Sequence, residues 1–395
     1  MQIRRTLRYD RAGFRFSALM LLCAMFFVTK MIRAFSGSNT EGGIWNYIQI
    51  LFVLFGALAI VKFRASLLNG QIFTLLLYSL LCLINALPSV SFNRESIFGY
   101  LMIAYPVCIL AVMSRQTNAL RVPNNYILQF TFYVIAFIYC ASMLRPGIYS
   151  TTTGLVADSY YVLGLLPLVL CYQKRMLWLP ISVCGITILL SGKRAGLVAY
   201  IVMVISYYII EAIRANKARK AIRSIFSFII IIILFIFVFR NVASIFNLKF
   251  ESRIRNMILY GEDSGRTVRW ATIWHAMKSS SMIQWVFGHG CGAVTHFIGG
   301  NAHNDFFEIL YNYGILPFIF YVAFQFEGIV RFLRMLKERY IYAAQYCMTV
   351  LYSWVIAFFS FFIITPTYIT CAMMCFGLIN ADYDANQKLK DGIIT

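Results

Sequence analysis

Gly288 to Pro317 reads GHGCGAVTHFIGGNAHNDFFEILYNYGILP, and the way its polar first half hands over to its apolar second half decides what kind of chain this is. The segment holds His289, His296 and His303, three of the four histidines in the sequence. Its glycines permit tight turns and close approach of the loop to a membrane or a substrate. At Ala302-His303-Asn304-Asp305 a polar loop enters a hydrophobic helix. A histidine at such a boundary is placed to act on chemistry at a bilayer surface.

The rest of the chain is overwhelmingly apolar. Of 395 residues 61% are hydrophobic and 13% charged, and the mean hydropathy is +0.73. Soluble domains carry about a quarter charged residues, so the expectation is an all-α polytopic membrane protein. A spanning helix takes about 20 apolar residues, and each helix satisfies its own backbone. Apolar runs fall at roughly 16–34, 44–61, 71–90, 97–113, 125–144, 158–172, 176–191, 194–212, 222–240, 306–327, 341–363 and 366–381. That predicts about twelve transmembrane helices in one membrane domain, 1–395. One large outer loop, 241–305, forms a cap before the tenth helix.

Charge placement orients this arrangement. With the N-terminus in the cytoplasm, 22 of the 35 lysines and arginines fall on inner segments, from Arg4, Arg5, Arg8, Arg11 and Arg15 to Lys388 and Lys390. This is the pattern of membrane topology, and it excludes nucleic-acid binding as the reading of a net charge of +20. Both termini are expected inside and the cap outside. The apolar run after Arg15 lacks a small-residue cleavage site, so it reads as an uncleaved first span. Nine of the ten cysteines lie in apolar runs and behave as small hydrophobes. Cys291 alone falls in the polar loop, without a partner there for a bridge.

Three basic features are expected to face the same side. In Ser191-Gly192-Lys193-Arg194-Ala195-Gly196 a very short turn puts Arg194 at the first position of the eighth helix. Cations are unfavourable at a helix N-terminus, whereas an anion there is favoured. Arg194 is therefore read either as half of a guanidinium–phosphate contact or as a snorkelling residue that stops a helix. In Asp263-Ser264-Gly265-Arg266-Thr267-Val268-Arg269-Trp270, Asp263 or Ser264 can cap a helix. Arg266 then falls in its first turn, and Trp270, Ile273, Trp274 and Met277 form a stripe suited to a helix lying on a membrane. Attraction to lipid headgroups also explains Arg269 and Lys278. The third feature is His303-Asn304, with Glu308 predicted near their face, where a carboxylate would orient the imidazole and support its protonated form. The plainer reading of this step is an interfacial histidine beside a helix cap.

Other signals are weaker. Gly288-His289-Gly290-Cys291-Gly292 lacks the strand–helix setting of a nucleotide site. The spacing of His289, Cys291, His296 and His303 matches no standard zinc pattern, so no metal and no cofactor are expected. Asp158, Glu211 and Glu327 lie near span ends rather than inside spans, and no matched pair of broken helices is evident, which argues against a transporter.

At these residues the chain resembles the O-antigen ligase and O-antigen polymerase superfamily. The resemblance rests on Ser191 to Gly196, on Gly265-Arg266, on Gly288-His289-Gly290, and on Ala302-His303-Asn304-Asp305-Phe306-Phe307-Glu308 followed by Tyr313-Gly314. It covers roughly residues 190–320, and the wording is closer to the polymerase (Wzy-type) branch. Pro317 departs from the pattern, since a second glycine is common after the Gly314 turn; the departure bears on local helix packing.

The resemblance implies a GT-C-like, metal-independent, inverting glycosyltransferase of the bacterial inner membrane, with its active site facing the periplasm. The donor would be an oligosaccharide on undecaprenyl diphosphate and the acceptor a second lipid-linked repeat unit, with a chain-length regulator as a possible protein partner. The implied roles are His303 as base and Arg266 and Arg194 as anion stabilisers, with Lys193, Arg269, Asn304 and Glu308 contacting substrate. The rival within the superfamily is the ligase, which moves the glycan to a lipid A core sugar. A rival of another class is a lipid-linked oligosaccharide flippase.

Overall fold

A computed structural model of the chain describes residues 19–29, 31–32, 44–61, 69–86, 94–117, 119–121, 126–143, 158–173, 176–215, 265–363 and 365–390. Among these residues all regular structure is helical. The first helices are α1 (Leu19–Thr29), α2 (Ile44–Val61), α3 (Gly70–Ala86), α4 (Arg94–Met113) and α5 (Tyr126–Met143). They are followed by α6 (Ser159–Tyr172), α7 (Trp178–Ser191) and α8 (Arg194–Ala215). The cap contributes α9 (Arg266–Lys278), α10 (Met282–Phe287) and α11 (Ala293–Ile298). The chain closes with α12 (Asp305–Tyr313), α13 (Ile315–Lys337), α14 (Ala343–Phe359) and α15 (Pro366–Lys390).

Helices thus occupy eleven of the twelve predicted apolar runs; the remaining run, 222–240, lies outside the described residues, as do 241–264 of the cap. Among the described residues three helices are long and apolar enough to cross a membrane by length and composition: α5, α8 and α13. Seven more are apolar but shorter. Together these are the apolar helices of a multi-pass membrane protein. Their shared core contains Phe26, Phe52, Tyr105, Phe132, Tyr321 and Tyr352 among many buried side chains.

The structure corrects the predicted tenth helix. The run 306–327 is not one helix: Gly314, at φ 86° and ψ −175°, breaks it into α12 and α13. In one straight helix Asp305 and Tyr321 would stand about 24 Å apart, at 1.5 Å per residue. Instead the Tyr321 hydroxyl donates to Asp305 Oδ2 at 2.7 Å, so α12 folds back on α13. Nine residues are too few to span a bilayer. Pro317 does not disturb α13, because it sits in the first turn, where a missing N–H costs no helical bond.

Candidate functional site

The corner around α12 is built from backbone fit. A Cβ on Gly288 would run into the carbonyl of Asn312, and a Cβ on Gly314 into the carbonyl of Val286. Both glycines also have positive φ, 76° and 86°, so only glycine lets these two strands of chain touch. The contact satisfies the open end of α12. His289 N–H donates to Tyr311 O at 2.9 Å and Gly290 N–H to Asn312 O at 3.0 Å, supplying donors to carbonyls that a helix C-terminus leaves bare. The close approach expected of the GHG glycines is therefore to the protein's own backbone. His289 is held there: its Nδ1 lies 3.1 Å from Tyr311 O, its Nε2 3.0 Å from Ser280 Oγ, and its ring stacks on Tyr311. Cys291 Sγ lies 3.4 Å from the Tyr313 hydroxyl, and His296 is exposed.

The N-terminal end of α12 carries three buried polar residues in a row of turns. Asn304 is the cap: its Oδ1 accepts from the N–H of Phe306 at 2.9 Å and of Phe307 at 3.2 Å. Its Nδ2 donates to Phe358 O at 3.1 Å, at the far end of α14. Asp305 accepts from the N–H of Phe362 at 3.1 Å and of Ile363 at 2.8 Å, as well as from Tyr321. Tyr321 in turn accepts from Gln325 Nε2 at 3.0 Å, and Ser353 Oγ donates to Gln325 Oε1 at 2.9 Å. Burial pushes the Asp305 carboxyl up to about 7, against the three donors that hold it down. Glu308 Oε2 accepts from Ala302 N–H at 2.9 Å. Asn304 and Glu308 are both buried and engaged with backbone, so they shape the loop from within.

His303 stands between these anchors. Its φ of 55° is uncommon for a residue other than glycine, and such conformations persist only where the surroundings impose them. The surroundings are visible on both sides of the preceding peptide. Arg269 Nη1 donates to Asn301 O at 3.0 Å, and Trp270 Nε1 donates to Ala302 O at 2.8 Å. Trp270 also stacks on Phe307, with centroids 5.9 Å apart. The His303 ring lies against Phe361, 4.7 Å between centroids, in the segment that Asp305 clamps.

The electrostatics of His303 are cationic. Partial burial pushes its imidazole down to about 4, assisted by the charges of Arg266, Arg269 and Lys193. The expected support of a protonated imidazole by Glu308 is not found: among the described residues three cations act on it, and Glu308 turns to the Ala302 backbone. The three cations come from two distant parts of the chain. Arg266 and Arg269 lie on α9, which begins at Arg266 after Gly265 at φ 74°. Gly265 is the cap residue; Asp263 and Ser264, the expected caps, lie outside the described residues. Lys193 lies in the turn between α7 and α8, where Gly192 ends α7 at φ 61° and Ser191 Oγ accepts the Lys193 N–H at 3.1 Å. Arg194 then opens α8. The charge of Lys193 acts on His303, so this turn lies near the same corner, and α8 packs along α14.

The Trp270 stripe has a different role from the one expected. Ile273 and Met277 are fully buried in a small second core with Val294, Ala302, Leu310 and Tyr311. Through Ile273 and Met277, with Trp270 on Phe307, the stripe docks α9 onto α12, while Trp274 is left exposed. Sequence reasoning missed Asp305, Tyr321 and Phe361, all remote in sequence or disguised as cap or core. Asp305 alone carried a signal, as a carboxylate directly after the Asn304 cap.

Residues 179–322 match the family model Wzy_C, described as O-antigen ligase. The matched stretch contains Lys193, Arg194, Arg266, Arg269, His303, Asn304, Asp305 and Glu308. No curated protein matches the chain. Over residues 179–322, then, the chain is similar to the O-antigen ligase family.

Proposed function

We propose that this protein is a surface-glycan polymerase, transferring an oligosaccharide from a polyprenyl diphosphate onto a second lipid-linked repeat unit. The observation that carries the reading is the gathering of Arg266, Arg269 and Lys193 around a partly buried, neutral His303. In the reaction an acceptor hydroxyl attacks the anomeric carbon of the donor sugar. The new C–O bond forms as the bond from that carbon to the phosphate oxygen breaks, and the electron pair leaves with the polyprenyl diphosphate. The hydroxyl proton passes to the imidazole of His303. An imidazole kept neutral at pH 7 is ready to take it.

Charge grows on the diphosphate as the bond breaks. Arg266 and Arg194, each at a helix N-terminus, stabilise that charge more in the transition state than in the bound donor. Arg269 and Lys193 add to the same positive field. Arg269 also fixes the loop through Asn301, and Asn304 and Glu308 hold the loop in register. One base and one displacement give inversion at the anomeric carbon, with no metal required. The distribution of lysine and arginine supports a topology with both termini in the cytoplasm, and on this reading the corner works at the periplasmic face of a bacterial inner membrane.

A second reading is transfer of the finished glycan to lipid A core, since the matching family is described as O-antigen ligase. The two share donor chemistry and differ in acceptor. A deletion strain separates them: a single repeat on core lipid means polymerase, and bare core means ligase. Purified protein given synthetic diphosphate-linked repeats must lengthen them, or join them to lipid A core supplied in a parallel reaction; transport with neither product ends both readings and supports a flippase.

A further inference from the structure

The cap helix α10 presents an apolar face that nothing in the described chain covers. Met282, Ile283 and Phe287 are 80%, 71% and 50% exposed. They share one side of a short helix whose opposite side is occupied. Ser281 and Gln284 close a capping box at its start, and Trp285 packs into the small core with Met277.

The position of α10 identifies what covers this face. The Val286 carbonyl lies so close to Gly314 that no side chain fits there, and Gly314 is the residue from which the spanning helix α13 starts. The helix α10 also packs against α13 itself. The outward side of α13 is an apolar stripe, with Leu316 and Ile319 exposed at its top and Phe326, Val330 and Leu333 below. In a helix that crosses a bilayer such a stripe meets lipid tails. Met282, Ile283 and Phe287 are thus exposed on a helix that packs beside this stripe.

Next to the apolar face stand the kinds of side chain that a membrane surface takes. Trp274 packs edge-on against Trp285, 6.2 Å between centroids. Lys278 reaches over the Trp274 ring at 5.8 Å from its centroid. Apolar side chains suit acyl chains, indoles the interfacial belt, and an ammonium group headgroup phosphate.

We infer that α10 is an interfacial anchor, with Met282, Ile283 and Phe287 inserted among the lipids where α13 enters the membrane, and with Trp274 and Lys278 at headgroup level. The anchor would set the height of the cap, and with it the depth of the His303 corner. It is independent of the reaction catalysed at that corner.

The test is depth-dependent quenching on the full chain in phospholipid vesicles. Ile283→Cys is labelled with an environment-sensitive fluorophore, with the unsubstituted protein labelled in parallel to subtract native cysteines. The inference predicts blue-shifted emission, quenching by phospholipids brominated on the acyl chain, and little quenching by aqueous iodide. Quenching by iodide alone would overturn it, because the face would then lie in water. Shielding from both quenchers would also overturn it, because protein would then cover the face. Met282→Cys repeats the measurement if Ile283→Cys fails to insert. None of these readouts involves glycan transfer, so they stand or fall apart from the proposed activity.

Discussion

The indole N–H of Trp270 donates to the carbonyl oxygen of Ala302 at 2.8 Å, and so ties the cap helix to the peptide directly before His303. Together with Arg269 on Asn301, it holds a loop whose histidine has a φ of 55°. The imidazole is thereby aimed by contacts from a helix more than thirty residues away in sequence.

Trp270→Phe keeps the stack on Phe307 and removes the hydrogen bond. The net cost to stability is about 1 kcal/mol. The cost to catalysis is larger, because small misplacement of a reacting group lowers rate steeply. A fall in kcat of about tenfold or more, with KM little changed, is expected. Steady-state kinetics of the purified variant on lipid-linked repeats check it.

Burial first, and then the cations around His303, set the acid side of its pH profile. Positive neighbours disfavour the protonated imidazole, so activity should rise with pH through about 4 and stay level towards neutrality. Arg269→Gln removes one cation and should move that limb upward, towards the ordinary histidine range near 6.5. The pH dependence of kcat/KM reports the free enzyme; a limb that starts near 6.5 and does not move in the variant would contradict the placement of these charges.

Asp305 takes three donors in a buried setting: Phe362 N–H, Ile363 N–H and Tyr321 O–H. Asp305→Ala leaves all three without an acceptor, at about 1–3 kcal/mol for each group left unsatisfied. Tyr321→Phe removes one donor and should cost about 1 kcal/mol. Thermal unfolding in detergent should therefore rank wild type above Tyr321→Phe, and Tyr321→Phe well above Asp305→Ala.

The glycines of the corner differ in what surrounds them. Gly314→Ala and Gly288→Ala each force a methyl into backbone, whereas a methyl at Gly265 meets nothing within 4 Å among the described residues. All three positions have positive φ, which alone costs a residue with a side chain about 1 kcal/mol. Gly265→Ala should fold with a modest loss of Tm, while Gly314→Ala and Gly288→Ala should fail to accumulate as folded protein.

Much of this was legible in the sequence, and the exceptions have physical causes. Hydropathy located the helical runs, because a bilayer admits little else. It could not see Gly314, since a break in φ leaves the apolar run of 306–327 uninterrupted. Helical spacing placed Glu308 near His303, but spacing says nothing of the loop that doubles back, where Ala302 N–H offers the carboxylate a nearer partner. The stripe of Trp270, Ile273 and Met277 is equally suited to lipid and to a protein core; the small core around Leu310 and Tyr311 decides between them. Lys193, Arg266 and His303 were legible as chemistry. They were expected on one side, but the contacts that set them there were not legible, because these depend on how α8, α9 and α14 pack.

The central claim is that His303 is the base of a transfer made beneath a cluster of cations. The direct measurement is chain extension of synthetic diphosphate-linked repeats by purified His303→Ala in nanodiscs, with thermal unfolding run beside it. Loss of about a hundredfold or more in turnover is predicted, with a Tm close to that of the parent. Product ladders of normal length and rate from a folded His303→Ala protein would contradict the account.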